Sequence, residues 1–197
     1  MTSHTIPVTE FWSAVEAPAA PPEVKPVMIE VGKTALLLLD FLEHICTDEE
    51  RPRAAAALSK VQSFLQVARR HRMLVTHTTT RKGSPDGSDL AEAVRPLPGE
   101  RVFTAPFNKF HKSGLEEHLR TQGIETVIVA GTSPNNCVMF TVAGAVLLGF
   151  KAIVPIDGIP ALTPYQEQFV AWQLVNGSGF SETTTLSRFD LISCQAP

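Results

Sequence analysis

Runs of consecutive apolar residues recur along the chain and alternate with segments whose apolar residues follow a helical period. Residues 34–40 (TALLLLD) form the first such run. A continuous apolar run is typical of a parallel strand that is covered on both faces. Further runs predict strands at residues 73–77, 101–105, 126–130, 151–157 and 182–186, and the polarity of the last one places it at the edge of the sheet.

Helical periodicity is clearest in residues 51–71, where apolar residues recur every three or four positions. Residues 113–123 and 163–176 are predicted to be helices for the same reason. Residues 138–148 are almost entirely apolar and too long for an ordinary strand, which indicates a buried helix. Because strands and helices alternate, the pattern predicts an α/β fold: a three-layer α/β/α architecture around a doubly wound, mainly parallel sheet.

The length of 197 residues suits one compact domain. Residues 1–30 are rich in proline and alanine, and we interpret them as an extended N-terminal arm in front of a domain spanning residues 31–197. The arm would lie on the domain or on a neighbouring subunit, with Phe11 and Trp12 as its anchors. The alternative is a loosely ordered leader.

Composition excludes several classes of protein. A formal net charge of −3 and a pI near 6.1 give no electrostatic basis for binding nucleic acid or an anionic membrane. No apolar run approaches the roughly 20 residues that a membrane helix needs, and no secretory signal pattern opens the chain. The three cysteines have no paired spacing, which favours reduced thiols. Together these features predict a cytoplasmic protein.

A cysteine at the start of the apolar helix is the first candidate for chemistry. Residues 131–136 form a turn after the strand at 126–130, and Cys137 follows in the first helical turn. Unpaired N–H groups and the positive end of the helix dipole favour a thiolate there. The same N–H groups can hold an oxyanion. The alternative is that Cys137 is simply a small buried core residue.

Two charged residues are further candidates. Asp40 stands at the carboxyl end of the first strand, the edge at which open parallel sheets bind ligands. Its alternative role is to stabilise a turn. Lys109 lies between Phe107 and Phe110, a setting that can desolvate an ammonium group. Its alternative is an ordinary solvated lysine.

These candidates occur in three motifs, ALLLLD, FNKFHKSGLEEHLRTQGIETVIVAGT and GTSPNNCV. Their order and placement resemble the isochorismatase-like cysteine hydrolases, a family that includes nicotinamidases, N-carbamoylsarcosine amidohydrolase and ureidoacrylate amidohydrolase. The resemblance covers residues 34–157. It implies a catalytic triad in which Cys137 attacks a carbonyl carbon, Asp40 handles the proton and Lys109 supports the charged pair.

The resemblance also implies a cis peptide bond between Thr132 and Ser133, and an oxyanion hole formed by the amides of Ser133 and Cys137. The metal-binding motif of nicotinamidases, Asp-x-His with a later His, has no match in this chain. We therefore expect no metal and no cofactor. Members of the family are commonly dimers or tetramers, so a homo-oligomer is expected.

The leading hypothesis is a metal-independent cysteine hydrolase that cleaves a C–N bond in a small amide or ureido compound through a thioester. One alternative is an isochorismatase-type enol-ether hydrolase, which needs Asp40 but not Cys137. Another is a non-catalytic binding protein with the same fold.

Residues near strand ends or in loops are the candidates for substrate binding. They are Phe41, Arg81, Phe110, Asn136 and Tyr165. Arg81 would meet an anionic group of the substrate. Each of these side chains has a competing role, either in packing or as a solvated loop residue.

Overall fold

The computed structural model describes residues 20–195. The strands are β1 (Val27–Ile29), β2 (Thr34–Leu39), β3 (Leu74–Thr79), β4 (Arg101–Thr104), β5 (Thr126–Gly131), β6 (Lys151–Pro155), β7 (Thr184–Ser187) and β8 (Ile192–Cys194). The α-helices are α1 (Pro52–Arg70), α2 (Leu115–Thr121), α3 (Met139–Leu147) and α4 (Pro164–Asn176). Within this range, no helix is long and apolar enough to cross a membrane.

Six strands form one parallel sheet in the order β4-β3-β2-β5-β6-β7. Buried side chains of β2 alternate between its two faces: Leu36 and Leu38 pack toward α1, and Leu37 and Leu39 pack toward α2, α3 and α4. The three-layer α/β/α architecture and the edge position of the last strand of this sheet are therefore confirmed.

A small second sheet was not predicted. β1 pairs in parallel with β8, with Val27 opposite Ile192, so residues 27–29 of the predicted arm form a strand. Three-residue strands are too short for apolar alternation to reveal them. The predicted anchors Phe11 and Trp12 lie outside the described residues.

The chain order reverses between the neighbouring strands β2 and β5, which makes their carboxyl ends a topological switch point. Gly131 allows the two strand ends to meet: a Cβ at this position would lie 2.5 Å from Leu39 Cβ and 2.7 Å from the Leu39 carbonyl oxygen. Immediately beyond it, the Thr132 N–H donates to the Leu39 carbonyl (3.1 Å). The residues that follow each strand are thus held side by side.

The Glu100 carboxylate links β3 to α1. His77 is fully buried with Nε2 2.8 Å from Glu100 Oε2, and Arg69 of α1 donates two hydrogen bonds to the same carboxylate. Burial alone would raise the pKa of Glu100, but the hydrogen bonds from Arg69, His77 and the Leu97 N–H outweigh it and lower that pKa to about 2. His77 therefore has a structural role.

Candidate active site

Asp40 directly follows β2 at the switch point. Its backbone is in the left-handed region (φ 53°), which aspartate tolerates better than most residues. The backbone N–H of Asp40 donates to the Thr78 carbonyl (3.2 Å), and the Thr78 hydroxyl donates to Asp40 Oδ1 (3.0 Å). The carboxylate is thus nearly buried and fixed by the neighbouring strand β3.

Lys109 reaches this carboxylate from the segment between β4 and α2. Its Nζ lies 2.6 Å from Asp40 Oδ2, and only 1% of its side chain is exposed. The ammonium also donates to the Ala105 carbonyl (3.2 Å). Its backbone is held in turn by Thr141 of α3, whose hydroxyl accepts from the Lys109 N–H (3.1 Å). The structure therefore excludes a solvated surface lysine.

Cys137 faces the ion pair from the other side of the switch point. It lies in a π-helical turn, Pro134–Val138, that leads into α3, instead of in the predicted first α-helical turn. The thiol is buried and directed toward the Ser133 carbonyl, with 3.6 Å between Sγ and that oxygen. The Asp40 carboxylate lies close enough for its charge to act on the thiol. The three triad candidates are thus brought together.

The turn before Cys137 has the cis peptide bond between Thr132 and Ser133 that the resemblance implied. The backbone N–H of Ser133 has no hydrogen-bond partner among residues 20–195. The Val138 N–H, which donates to the Ser133 carbonyl (3.4 Å), also lies near the sulfur of Cys137. The oxyanion hole of Ser133 and Cys137 itself stays a prediction.

The pKa of Cys137 corrects the expectation of a thiolate at this position. Burial, followed by the negative charge of Asp40, raises the pKa of the Cys137 thiol far above its ordinary value, against the opposing effects of Lys109 and the Val138 N–H. Burial also raises the pKa of Asp40, although the charge of Lys109 and hydrogen bonds oppose that shift. These shifts favour a neutral Cys137 thiol beside Asp40 over the predicted thiolate.

We expect the acidic limb of the kcat/KM profile to report Asp40, because a protonated carboxyl group cannot accept the thiol proton. Its midpoint should lie above about 4, the ordinary value for an aspartate. Thr78→Val removes a hydrogen bond that lowers this pKa, so the midpoint should move to higher pH. Thr104→Val, at an exposed threonine, is the control. A midpoint that stays in place or moves down in Thr78→Val would contradict the assignment.

The predicted substrate-binding residues fall into two groups. Phe41 is a correction, because only 1% of it is exposed and it packs in the core beside α1. Phe110 is also a correction, because its ring stacks on Phe150, with 5.8 Å between centroids, at the opposite end of β6 from the site. Arg81, Asn136 and Tyr165 are exposed, so their role in binding stays a prediction.

Two of the predicted substrate-binding residues lie near the turn that contains Cys137. Asn136 immediately precedes Cys137 in the π-helical turn, and Tyr165 belongs to α4, which packs against that turn.

Among residues 20–195, no three His, Cys, Asp or Glu side chains converge as metal ligands would. Metal independence nevertheless remains an expectation about the reaction.

Comparisons with known proteins agree with this geometry. A family model described as "Isochorismatase domain" matches residues 34–187. Maleamate amidohydrolase of Pseudomonas putida is 30% identical over 148 residues, which cover 62% of this chain and 70% of that protein. Nicotinamidase 3 of Arabidopsis thaliana is 25% identical over 164 residues, covering 72% and 79% respectively.

A solved structure shows the same fold. The crystal structure of N-carbamoylsarcosine amidase from Thermoplasma acidophilum superposes with a TM-score of 0.68 at 24% identity. The match covers 80% of this chain and 97% of that one.

Proposed function

Since the chain belongs to the isochorismatase family of hydrolases, we propose that it is a cysteine amidohydrolase that cleaves a C–N bond of a small amide or ureido compound. The observation that carries the proposal is the buried Cys137 thiol beside the Asp40–Lys109 ion pair. Acyl transfer from an amide requires a nucleophile and a group that accepts its proton, and a fixed positive charge keeps such an acceptor ionised.

In the first half of the reaction, Cys137 Sγ attacks the carbonyl carbon while its proton passes to Asp40. The negative charge that develops on the carbonyl oxygen is stabilised by backbone N–H groups of the turn. The C–N bond then breaks, and Asp40 returns the proton to the departing nitrogen. Ammonia leaves, or an amine in the case of a substituted amide, and the acyl group remains on sulfur as a thioester.

In the second half, a water molecule attacks the thioester. Asp40 accepts a proton from the water and returns it to the sulfur as the C–S bond breaks, which releases the carboxylic acid and restores the neutral thiol. Lys109 stays in place throughout. Its charge keeps the carboxylate oriented and ionised in a nearly dry site, where an unpaired Asp40 would be protonated too readily to act as a base.

The alternatives leave part of this geometry without a role. An enol-ether hydrolase would use Asp40 but would not need a buried thiol near its carboxylate. A binding protein would need neither the buried ion pair nor the thiol. A buried ion pair adds little net stability, because the desolvation of the two charges offsets their attraction. The amide reaction uses all three groups.

Ammonia release from maleamate, nicotinamide and N-carbamoylsarcosine is the first test, because these compounds appear in the names of the relatives. The acyl intermediate is then sought by acid quench, proteolysis and mass spectrometry. We expect the acyl mass on the peptide that contains Cys137, and not on those with Cys46 or Cys194. Ammonia release without any acyl group on Cys137 would refute the thioester, and isochorismate cleavage without amide hydrolysis would favour the ether-hydrolase.

A further inference from the structure

Arg51 lies next to the catalytic turn, although nothing in the sequence pattern singled it out. It immediately precedes α1, and its Nη1 donates a hydrogen bond to the Thr132 hydroxyl (3.0 Å). Thr132 is bonded to Ser133, the residue whose carbonyl oxygen faces the Cys137 thiol. The guanidinium group is thus hydrogen-bonded to Thr132, and the next residue, Ser133, contacts the thiol of Cys137.

This guanidinium has no acidic partner in the part of the chain that the structure describes. Among residues 20–195, no carboxylate lies within 4.0 Å of it, even though Asp48, Glu49 and Glu50 come just before it in the sequence. Arg51 is half-buried. Each of its guanidinium nitrogens is either hydrogen-bonded or accessible to solvent. Four of its five N–H donors therefore have no partner within the described part of the chain and are available to a ligand.

The geometry of the open donors suits a carboxylate. The bond to Thr132 uses Nη1, which leaves the edge formed by Nε and Nη2 free. Three other arginines of the chain bind a carboxylate through that same edge: Arg53 with Glu167, Arg69 with Glu100 and Arg188 with Asp190. Two parallel N–H groups match the two oxygens of a carboxylate, so this edge selects for a planar anion.

We infer that Arg51 binds a carboxylate of the substrate, and that the enzyme acts on amides carrying an acid group away from the scissile bond, such as amic acids. The inference rests on the proposed function. Thr132 would hold the guanidinium in place through Nη1 while the free edge receives the anion. The thiol would then meet the amide carbonyl at the other end of the same small molecule.

A purely structural role for Arg51 makes a different prediction. If the bond to Thr132 only ties α1 to the turn, its loss should impair every substrate to the same degree. A carboxylate-binding role should instead impair acidic substrates alone. Arg51→Gln separates the two, because glutamine keeps an N–H donor for Thr132 but loses both the charge and the fork.

The experiment compares maleamate with its neutral diamide, maleamide, and succinamate with succinamide. For Arg51→Gln we expect kcat/KM to fall by about 10- to 100-fold on the acids, which is the range for losing hydrogen bonds to a charged group. The fall on the diamides should be less than about 3-fold, within the range of surface substitutions. Arg53→Gln is the matched control, since that neighbouring arginine pairs with Glu167 at the surface.

Equal losses on acids and diamides would overturn the inference. So would a selective loss in Arg81→Gln with none in Arg51→Gln, because the anion would then be bound by the loop arginine. Binding to inactive Cys137→Ala, measured by calorimetry, gives an answer that does not need turnover. There the acids should bind more tightly than the diamides, and Arg51→Gln should remove that preference.

The two proposals fail in different ways. If the wild-type protein releases no ammonia but the Cys137→Ala protein prefers acids through Arg51, the amidohydrolase proposal is wrong and the carboxylate site stands. If the wild-type protein hydrolyses amides and no acid is preferred in either assay, the carboxylate site is wrong and the amidohydrolase proposal stands.

Discussion

Cys137→Ala should lose at least about 10⁴-fold of the amide-hydrolysing activity, as removing the nucleophile of a catalytic triad does. We expect no other thiol to take its place, because Cys46 packs in the core cluster on the α1 side of the sheet, Cys137 packs in the cluster on the other side, and Cys194 lies in β8. The loss should appear in kcat, with substrate still bound. Ammonia release under saturating substrate measures it directly.

Cys137→Ser is a sharper version of the same test. A hydroxyl is a much weaker acid than a thiol, and in the proposed mechanism this group gives its proton to Asp40 during attack. We therefore expect the serine variant to lose nearly as much activity as the alanine variant. Recovery to within about 10-fold of the wild type would mean that proton removal is not a demanding step.

Cys194→Ala is the matched control, because it removes a thiol at β8, away from the switch point. Its activity and thermal unfolding should stay close to those of the wild type. Undiminished cleavage in Cys137→Ala would show that Asp40 suffices, as the enol-ether alternative requires. Unfolding curves of all three variants guard against a loss that reflects misfolding.

Much of the site follows from the sequence because a parallel sheet gathers its strand ends. Asp40 and Cys137 follow two apolar runs, and strands that lie side by side bring such residues to one edge. Lys109 follows no long run; its two aromatic neighbours make it a candidate, and its role comes from the resemblance of the surrounding motif. Its place was confirmed by a contact between segments 69 positions apart, a distance that local patterns cannot span.

What the sequence missed depends on tertiary packing. The favoured thiolate was expected from position on a helix, but burial and the charge of Asp40 outweigh the local effect of N–H groups. Phe41 and Phe110 lie near functional residues in the chain, yet their side chains point into packing. Arg51 sits in a polar stretch that resembles any helix start, and only the contact with Thr132 reveals its position.

Lys109→Met should destabilise the protein by about 3–5 kcal/mol at pH 7, because it leaves the buried Asp40 carboxylate without its charged partner. Activity should fall by at least about 10²-fold, since the pKa of Asp40 rises and less of the base is ionised. The free energy of unfolding comes from urea denaturation. Lys112→Met, three positions along and exposed, should change stability by less than about 0.5 kcal/mol.

The pH dependence of the Lys109→Met defect identifies its cause. Removing the lysine raises the folded-state pKa of Asp40 further above the unfolded value, so this group stabilises the fold only when protonated. The deficit against the wild type should therefore shrink as the pH falls toward about 4 and grow as it rises. A deficit that is the same at every pH would point to lost packing of the lysine side chain.

The double variant Lys109→Met with Asp40→Asn separates structure from chemistry. Asparagine removes the unpaired charge, so the double variant should be more stable at pH 7 than Lys109→Met alone, as expected for coupled partners. It should nevertheless have no activity, because the proton acceptor is gone. Stability that fails to recover would mean that the ion pair is not the main interaction that Lys109 makes, whereas recovered stability without turnover would show that the pair is kept for the reaction.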